Sequence, residues 1–193
     1  MPRYPIGPAA LELIRGDIVA QTTDAIVNAA NERLAAGGGV CGAIFAAAGH
    51  RRLAAACRPL APCPTGEARI TPGFALPARH IIHAVGPVYR RADLAGSAAL
   101  LAGAYRSSLE VAAQHGLASV AFPSISTGIF GYPVADASSV ALGTVRQFLT
   151  SPGSLRLVRL VLWDQASLDA YTAAAQATGL AEARAVSSPK ETP

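Results

Sequence analysis

Apolar positions along this chain fall into short runs separated by Gly, Pro and small polar residues. Leu11-Glu12-Leu13-Ile14 alternates, which predicts a strand stopping at Gly16-Asp17. Asp24 to Ala29 predicts a short buried strand, and Ala68 to Thr71, His80 to Val85, Ser119 to Pro123 and Arg156 to Trp163 predict further ones. Helical spacing marks Val40 to Ala48, Arg51 to Cys57, Leu94 to His115, Val134 to Leu149 and Gln165 to Ala177. Gly116 and Gly179 stand where helix stops belong. Pro59, Pro62 and Pro64 break the chain before the third strand. Strands and helices alternate, so the pattern predicts an α/β fold, with helices on both faces of a mixed, mostly parallel sheet. Ligands of such sheets bind in the crevice at the carboxyl ends of the strands.

Composition narrows the picture. A length of 193 residues suits one domain with a sizeable core. Residues 1–182 are expected to form it, with 183–193, ending SSPKETP, as a disordered tail. The formal charge is +4, which favours anionic ligands. The arginines are scattered as Arg51-Arg52, Arg90-Arg91 and Arg156/Arg159, a pattern expected of a solvated surface. No basic stripe with interleaved aromatics marks a general nucleic-acid binder. The N-terminus has no signal-like apolar run, and no membrane association is expected. Cys41, Cys57 and Cys63 are odd in number, which points to a reducing cytoplasm. Cys57 and Cys63 lack metal-ligand spacing, so no metal and no cofactor are expected. A monomer is expected.

The candidate chemistry lies in two segments, DAIVNAANERLAAGGGVCGAIFAAAG from Asp24 and PSISTGIFGYP from Pro123. Each has an apolar run, then a loop of Gly and small polar residues, then an expected helix start. Glycine allows close approach of backbone N–H groups to a ligand, and a helix N-terminus favours anions. Gly37, Gly38, Gly39 and Val40 on one side, and Ser126, Thr127, Gly128, Ile129, Phe130 and Gly131 on the other, can clamp a diphosphate. Asp17, at a strand end, suits either an exocyclic amine or a turn. Asn28 and Asn31 brace the first loop or face a ligand. Phe130 covers a sugar face or anchors its loop; Trp163 stacks on a base or caps the core. His83, in an apolar strand, reads as a satisfied core histidine.

These segments resemble the macrodomain family of ADP-ribose-binding modules, nearest its MacroD-type hydrolase branch. Gly16-Asp17-Ile18, Thr65-Gly66-Glu67-Ala68, Ile70-Thr71-Pro72-Gly73, Leu76-Pro77-Ala78 and His80 to Pro87 match in the same order, and the resemblance runs from about Leu11 to Leu180. It implies a three-layer α/β/α macrodomain fold. It implies that Asp17 and Ile18 read adenine, Trp163 stacks on it, Asn31 and Phe130 hold the distal ribose, and the two glycine loops hold the diphosphate. The partners implied are ADP-ribose and a mono-ADP-ribosylated substrate, protein first and ADP-ribosylated nucleic acid also open. The activity implied is release of ADP-ribose from an acidic side chain. A non-catalytic reader and an O-acetyl-ADP-ribose deacetylase use the same pocket. The hydrolase branch carries Gly-Val-Asp-Gly-Ala-Ile-His where this chain has Gly39 to Phe45, so Cys41 and Phe45 replace its acid and its imidazole. Asn31, Gly131 and Cys41 are then the catalytic candidates, with Cys41 open to a plain packing role.

Overall fold

Seven strands form one sheet in the computed structural model of the protein, which describes residues 1–151 and 153–183. In chain order they are β1 (Arg3–Ile6), β2 (Ala9–Arg15), β3 (Ala25–Ala30), β4 (Ala68–Pro72), β5 (His80–Val85), β6 (Ser119–Phe122) and β7 (Leu157–Leu162). Their spatial order is β1-β2-β7-β6-β3-β5-β4. The interior pairings β2-β7, β7-β6, β6-β3 and β3-β5 are parallel. The two edge strands, β1 and β4, run antiparallel to their neighbours. A mixed, mostly parallel sheet is the architecture that the sequence predicts. The edge strand β1 is an addition: Pro2 and Pro5 hide its period in the sequence, and Pro is tolerated at an edge. All but Ala183 of the expected tail lies outside the described residues. The Ala183 amide donates to the Arg3 carbonyl.

The helices are α1 (Gly39–Ala48), α2 (His50–Cys57), α3 (Leu94–Gln114), α4 (Val134–Leu149) and α5 (Gln165–Ala177). Helices α3, α4 and α5 cover one face and α1 and α2 the other, which makes three layers. Side chains alternate across a strand, so each strand feeds both cores. In β3, Ala25 and Val27 join the cluster under α3 to α5, while Ile26 joins the one under α1 and α2. Helix α3 ends in a glycine cap: Gly116 has φ +65°, its amide reaches Ala113, and Leu117 reaches Ala112.

Candidate functional site

The carboxyl ends of the parallel strands converge on one edge, and both glycine loops leave from it. After β3 the chain turns through Asn31, whose amide braces the loop. Asn31 Nδ2 donates to the Ala35 carbonyl at 2.7 Å, and the Ala35 amide donates back to Oδ1 at 3.2 Å. One amide hydrogen and one oxygen lone pair of Asn31 remain for another partner. The loop delivers Gly38, the N-cap of α1, with no side chain capping that end. The first backbone amides of α1 are thus free to receive an anion. Gly42 has no room for a side chain here: a Cβ on it would come within 2.7 Å of the Gly37 carbonyl.

The second loop leaves β6 over two buried tyrosines. Tyr105 of α3 donates to the Pro123 carbonyl at 3.3 Å, and its oxygen accepts the Ile125 amide at 3.2 Å. Tyr171 of α5 bonds Ser124 Oγ at 2.8 Å. Burial raises the pKa of both phenols, so they stay neutral posts under the loop. Ser126 sits at φ +67°, an uncommon conformation for a residue with a side chain, and its Oγ has no partner among the described residues. Gly131 closes the turn at φ +68°, its amide donating to the Gly128 carbonyl at 2.9 Å.

Between the loops lies a cavity of about 310 Å³ lined by Asn31, Gly37 to Cys41, Gly86, Ser124 to Ser126 and Gly128 to Phe130, with Ala29 and Ala30 at its floor. Gly86 is its tightest point: a Cβ there would collide with Ser126 Oγ and Ile125 Cγ2. Along the same edge, Trp163 stands one strand further, after β7, and Asp17 two strands further, after β2. The Gly16 amide donates to the Leu162 carbonyl, which sets Asp17 beside Trp163. Trp163 is 80% exposed, so it does not cap the core; its ring is open for stacking. Asp17 caps a turn with one carboxylate oxygen. Its Oδ1 accepts the Val19 amide at 3.0 Å and caps a short 3₁₀ turn, Ile18–Ala20, while Oδ2 has no partner among the described residues. Ile18 is buried against the α1 side.

Gly131 and Thr127 belong to the second loop but are not among the residues that line the cavity. A Cβ on Gly131 would meet open space, and the Thr127 Oγ1 turns back to the Ser124 carbonyl. The second loop runs through the buried Tyr132 to Pro133, the N-cap of α4, so the helix starts where the sequence predicts it.

Beneath the first loop lies a buried polar chain. Asn28 Nδ2 reaches Cys41 Sγ at 3.6 Å and His83 Nδ1 at 3.1 Å. His83 Nε2 faces Thr71 Oγ1 at 2.9 Å and Cys57 Sγ at 3.7 Å. Asn28 and His83 are neighbours in the parallel β3-β5 register, which brings them to one face. Burial drives the His83 pKa down to about 4 and the Cys57 pKa up to about 11, so both are neutral near pH 7. Cys41 is 5% exposed, packs in the α1 core and also lies 3.7 Å from the Ala35 carbonyl. Phe45 is buried beside the His50 ring. Among the described residues, no group of His, Cys, Asp and Glu is placed to hold a metal. No helix there is long and apolar enough to cross a membrane.

The Macro domain family model matches residues 27–141. The chain belongs to the macrodomain family. A macro domain-containing protein of Chlorobaculum tepidum is 49% identical over 161 residues, covering 83% of this chain and 92% of that one. The ADP-ribose glycohydrolase MACROD1 of Rattus norvegicus is 52% identical over 139 residues, covering 72% of this chain and 54% of that protein. The Oceanobacillus iheyensis macrodomain solved with ADP superposes with a TM-score of 0.86 at 42% identity, over 91% of this chain and 95% of that one. The Trypanosoma brucei macrodomain in complex with ADP gives a TM-score of 0.79 at 40% identity, over 88% and 70%.

Two parts of the site in this macrodomain escaped the sequence reading. The tyrosine posts are far from the loop in sequence and carry no motif. A second cavity, beyond Phe130, is built from residues of four separate segments, among them Arg33 and Arg90. The sequence pattern left Arg90 as surface charge.

Proposed function

We propose that this macrodomain binds ADP-ribose between its glycine loops and hydrolyses the bond from the distal ribose to an acceptor, an acidic side chain first. The observation that carries this reading is the elongated edge site. A free carboxylate oxygen and an exposed indole stand at one end, an uncapped helix N-terminus and a strained turn in the middle, and Asn31 with Phe130 at the other. These suit a base, a diphosphate and a sugar in that order. Relatives named for ADP-ribose hydrolysis and solved with ADP support it.

The chemistry follows from what the site lacks. Phe45 has no proton to move, and the Cys41 thiol is buried beside Asn28. The ligand's own phosphate therefore takes the proton from a water held near the loops. The water oxygen bonds to the anomeric carbon, the bond from that carbon to the acceptor oxygen breaks, and the carboxylate leaves with the electron pair. A carboxylate is a weak base and needs no general acid. The loops supply orientation and charge stabilisation.

The absent acid and imidazole favour a second reading, a reader that binds without turnover. Incubation with a mono-ADP-ribosylated protein, with chromatography of the released nucleotide, separates the two. Release of free ADP-ribose is expected. Binding by calorimetry without release from acidic, serine or nucleic-acid linkages would leave the reader.

A further inference from the structure

The cavity beyond Phe130 is larger than the one between the loops, about 610 Å³. Asn31, Gly86 and Phe130 line both, so the two cavities adjoin at a shared waist. Under the proposed function, the distal ribose sits at that waist. The larger cavity then offers room for its anomeric substituent.

The walls of this second cavity have a definite chemistry. Each of its two carboxylates has one oxygen engaged by donors of the protein. Glu32 accepts the Thr65 hydroxyl at 2.8 Å and the Thr65 amide at 3.3 Å, and Asp93 caps α3 by accepting the Gly96 amide at 2.8 Å. Its two guanidinium groups, Arg33 and Arg90, have no carboxylate partner among the described residues. Both are exposed. Val88 and Leu100, 57% and 42% exposed, add apolar surface between the charges.

We propose that this cavity is the acceptor subsite, and that it takes a peptide segment with acidic residues flanking the modified one. The inference rests on the hydrolase or reader reading of the adjoining pocket. Two unpaired arginines call for carboxylates, and guanidinium groups hold them in a fixed fork. The exposed Val88 and Leu100 suit the apolar parts of a peptide. A nucleic-acid strand would ask for a basic groove with stacking aromatics, and here Phe130 alone is aromatic and belongs to the waist.

The test uses two synthetic peptides, each mono-ADP-ribosylated on one Glu, identical except for Glu or Gln at the flanking positions. Wild type, Arg33→Ala/Arg90→Ala and Arg90→Glu are compared in KM for ADP-ribose release and in calorimetric Kd for free ADP-ribose. Wild type should favour the acidic peptide by about three- to tenfold in KM, the scale of two exposed ion pairs. The double variant should lose the preference and Arg90→Glu should reverse it, with the ADP-ribose Kd unchanged. Equal KM for both peptides in wild type, or a preference that survives in the double variant, overturns the proposal. If no peptide is turned over, the hydrolase reading fails, and the Kd of the two modified peptides then decides the subsite by the same comparison. Tighter binding of an ADP-ribosylated oligonucleotide than of the acidic peptide, abolished in the double variant, would overturn it in favour of nucleic acid.

Discussion

At the scale of single residues, Asp17 and His83 show how one side chain can be read two ways. Asp17 is both the turn residue that Gly-Asp suggests and a carboxylate with an oxygen to spare. The two roles separate by substitution. Asp17→Asn keeps an oxygen for the Val19 amide but offers an NH₂ where an acceptor is needed. It should leave the melting temperature near wild type and weaken ADP-ribose binding by about 1–3 kcal/mol, the range for one unmade hydrogen bond. Full affinity in calorimetry would return Asp17 to a turn role. His83 is the core histidine that its apolar strand implies, held neutral by burial with its pKa near 4. The unfolded chain takes up that proton near 6.5, so stability is fully present above that value and falls as pH drops from about 6.5 to 4. The fall amounts to about 3 kcal/mol. Chemical denaturation across that window should show this slope, and His83→Gln should flatten it; an unchanged slope would place the titration on other groups.

At the scale of elements, most of the fold was legible because its period is clean. Helices α4 and α5 match their predicted bounds, and α3 stops where Gly116 turns left-handed. The strands β3 and β5, rich in Val and Ile, stood out in the same way. The candidate site was legible only in part. Loops rich in glycine announce themselves in sequence, whereas the posts beneath them do not. Tyr105 reaches the second loop across 20 positions and Tyr171 across 47, distances that local pattern cannot span. Gly86 belongs to the same class. Its strand motif was plain, yet its role, leaving room for Ser126 and Ile125, is visible only once β5 and the second loop are side by side. Gly86→Ala should therefore displace the second loop and weaken ADP-ribose binding at least tenfold, roughly the effect of a misplaced donor pair. Fluorescence titration that finds wild-type affinity would show that the waist yields without cost.

At the scale of the molecule, opposite sheet edges carry separate duties. The amino edge is fastened by Asp24, whose carboxylate takes the amides of Ala118 and Ser119, the Ser119 hydroxyl and Arg79. Burial alone would raise its pKa, but these donors together hold it below the ordinary value. That stability is present above about pH 3.9, the unfolded value, and is lost as pH falls through the lower folded one. Asp24→Ala should cost about 2–3 kcal/mol in denaturation, the scale for charged hydrogen bonds, while the ADP-ribose Kd stays put. A matching loss of affinity would mean the edges are coupled. The carboxyl edge, by contrast, is spanned at its middle. Ile129 is 83% exposed, yet its Cδ1 leans over Gly38, where any side chain would come within 3.3 Å of it. The two loops thus form an arch over the cavity between them, and a diphosphate lying beneath is overhung while its two ends stay open. If the protein hydrolyses as proposed, this overhang slows release of free ADP-ribose, which then acts as a brake on further turnover. Shortening the span with Ile129→Ala should speed ADP-ribose dissociation several-fold in stopped-flow, roughly what loss of one apolar contact allows. It should also relieve product inhibition, and an unchanged off-rate would mean that the arch overhangs its guest without detaining it.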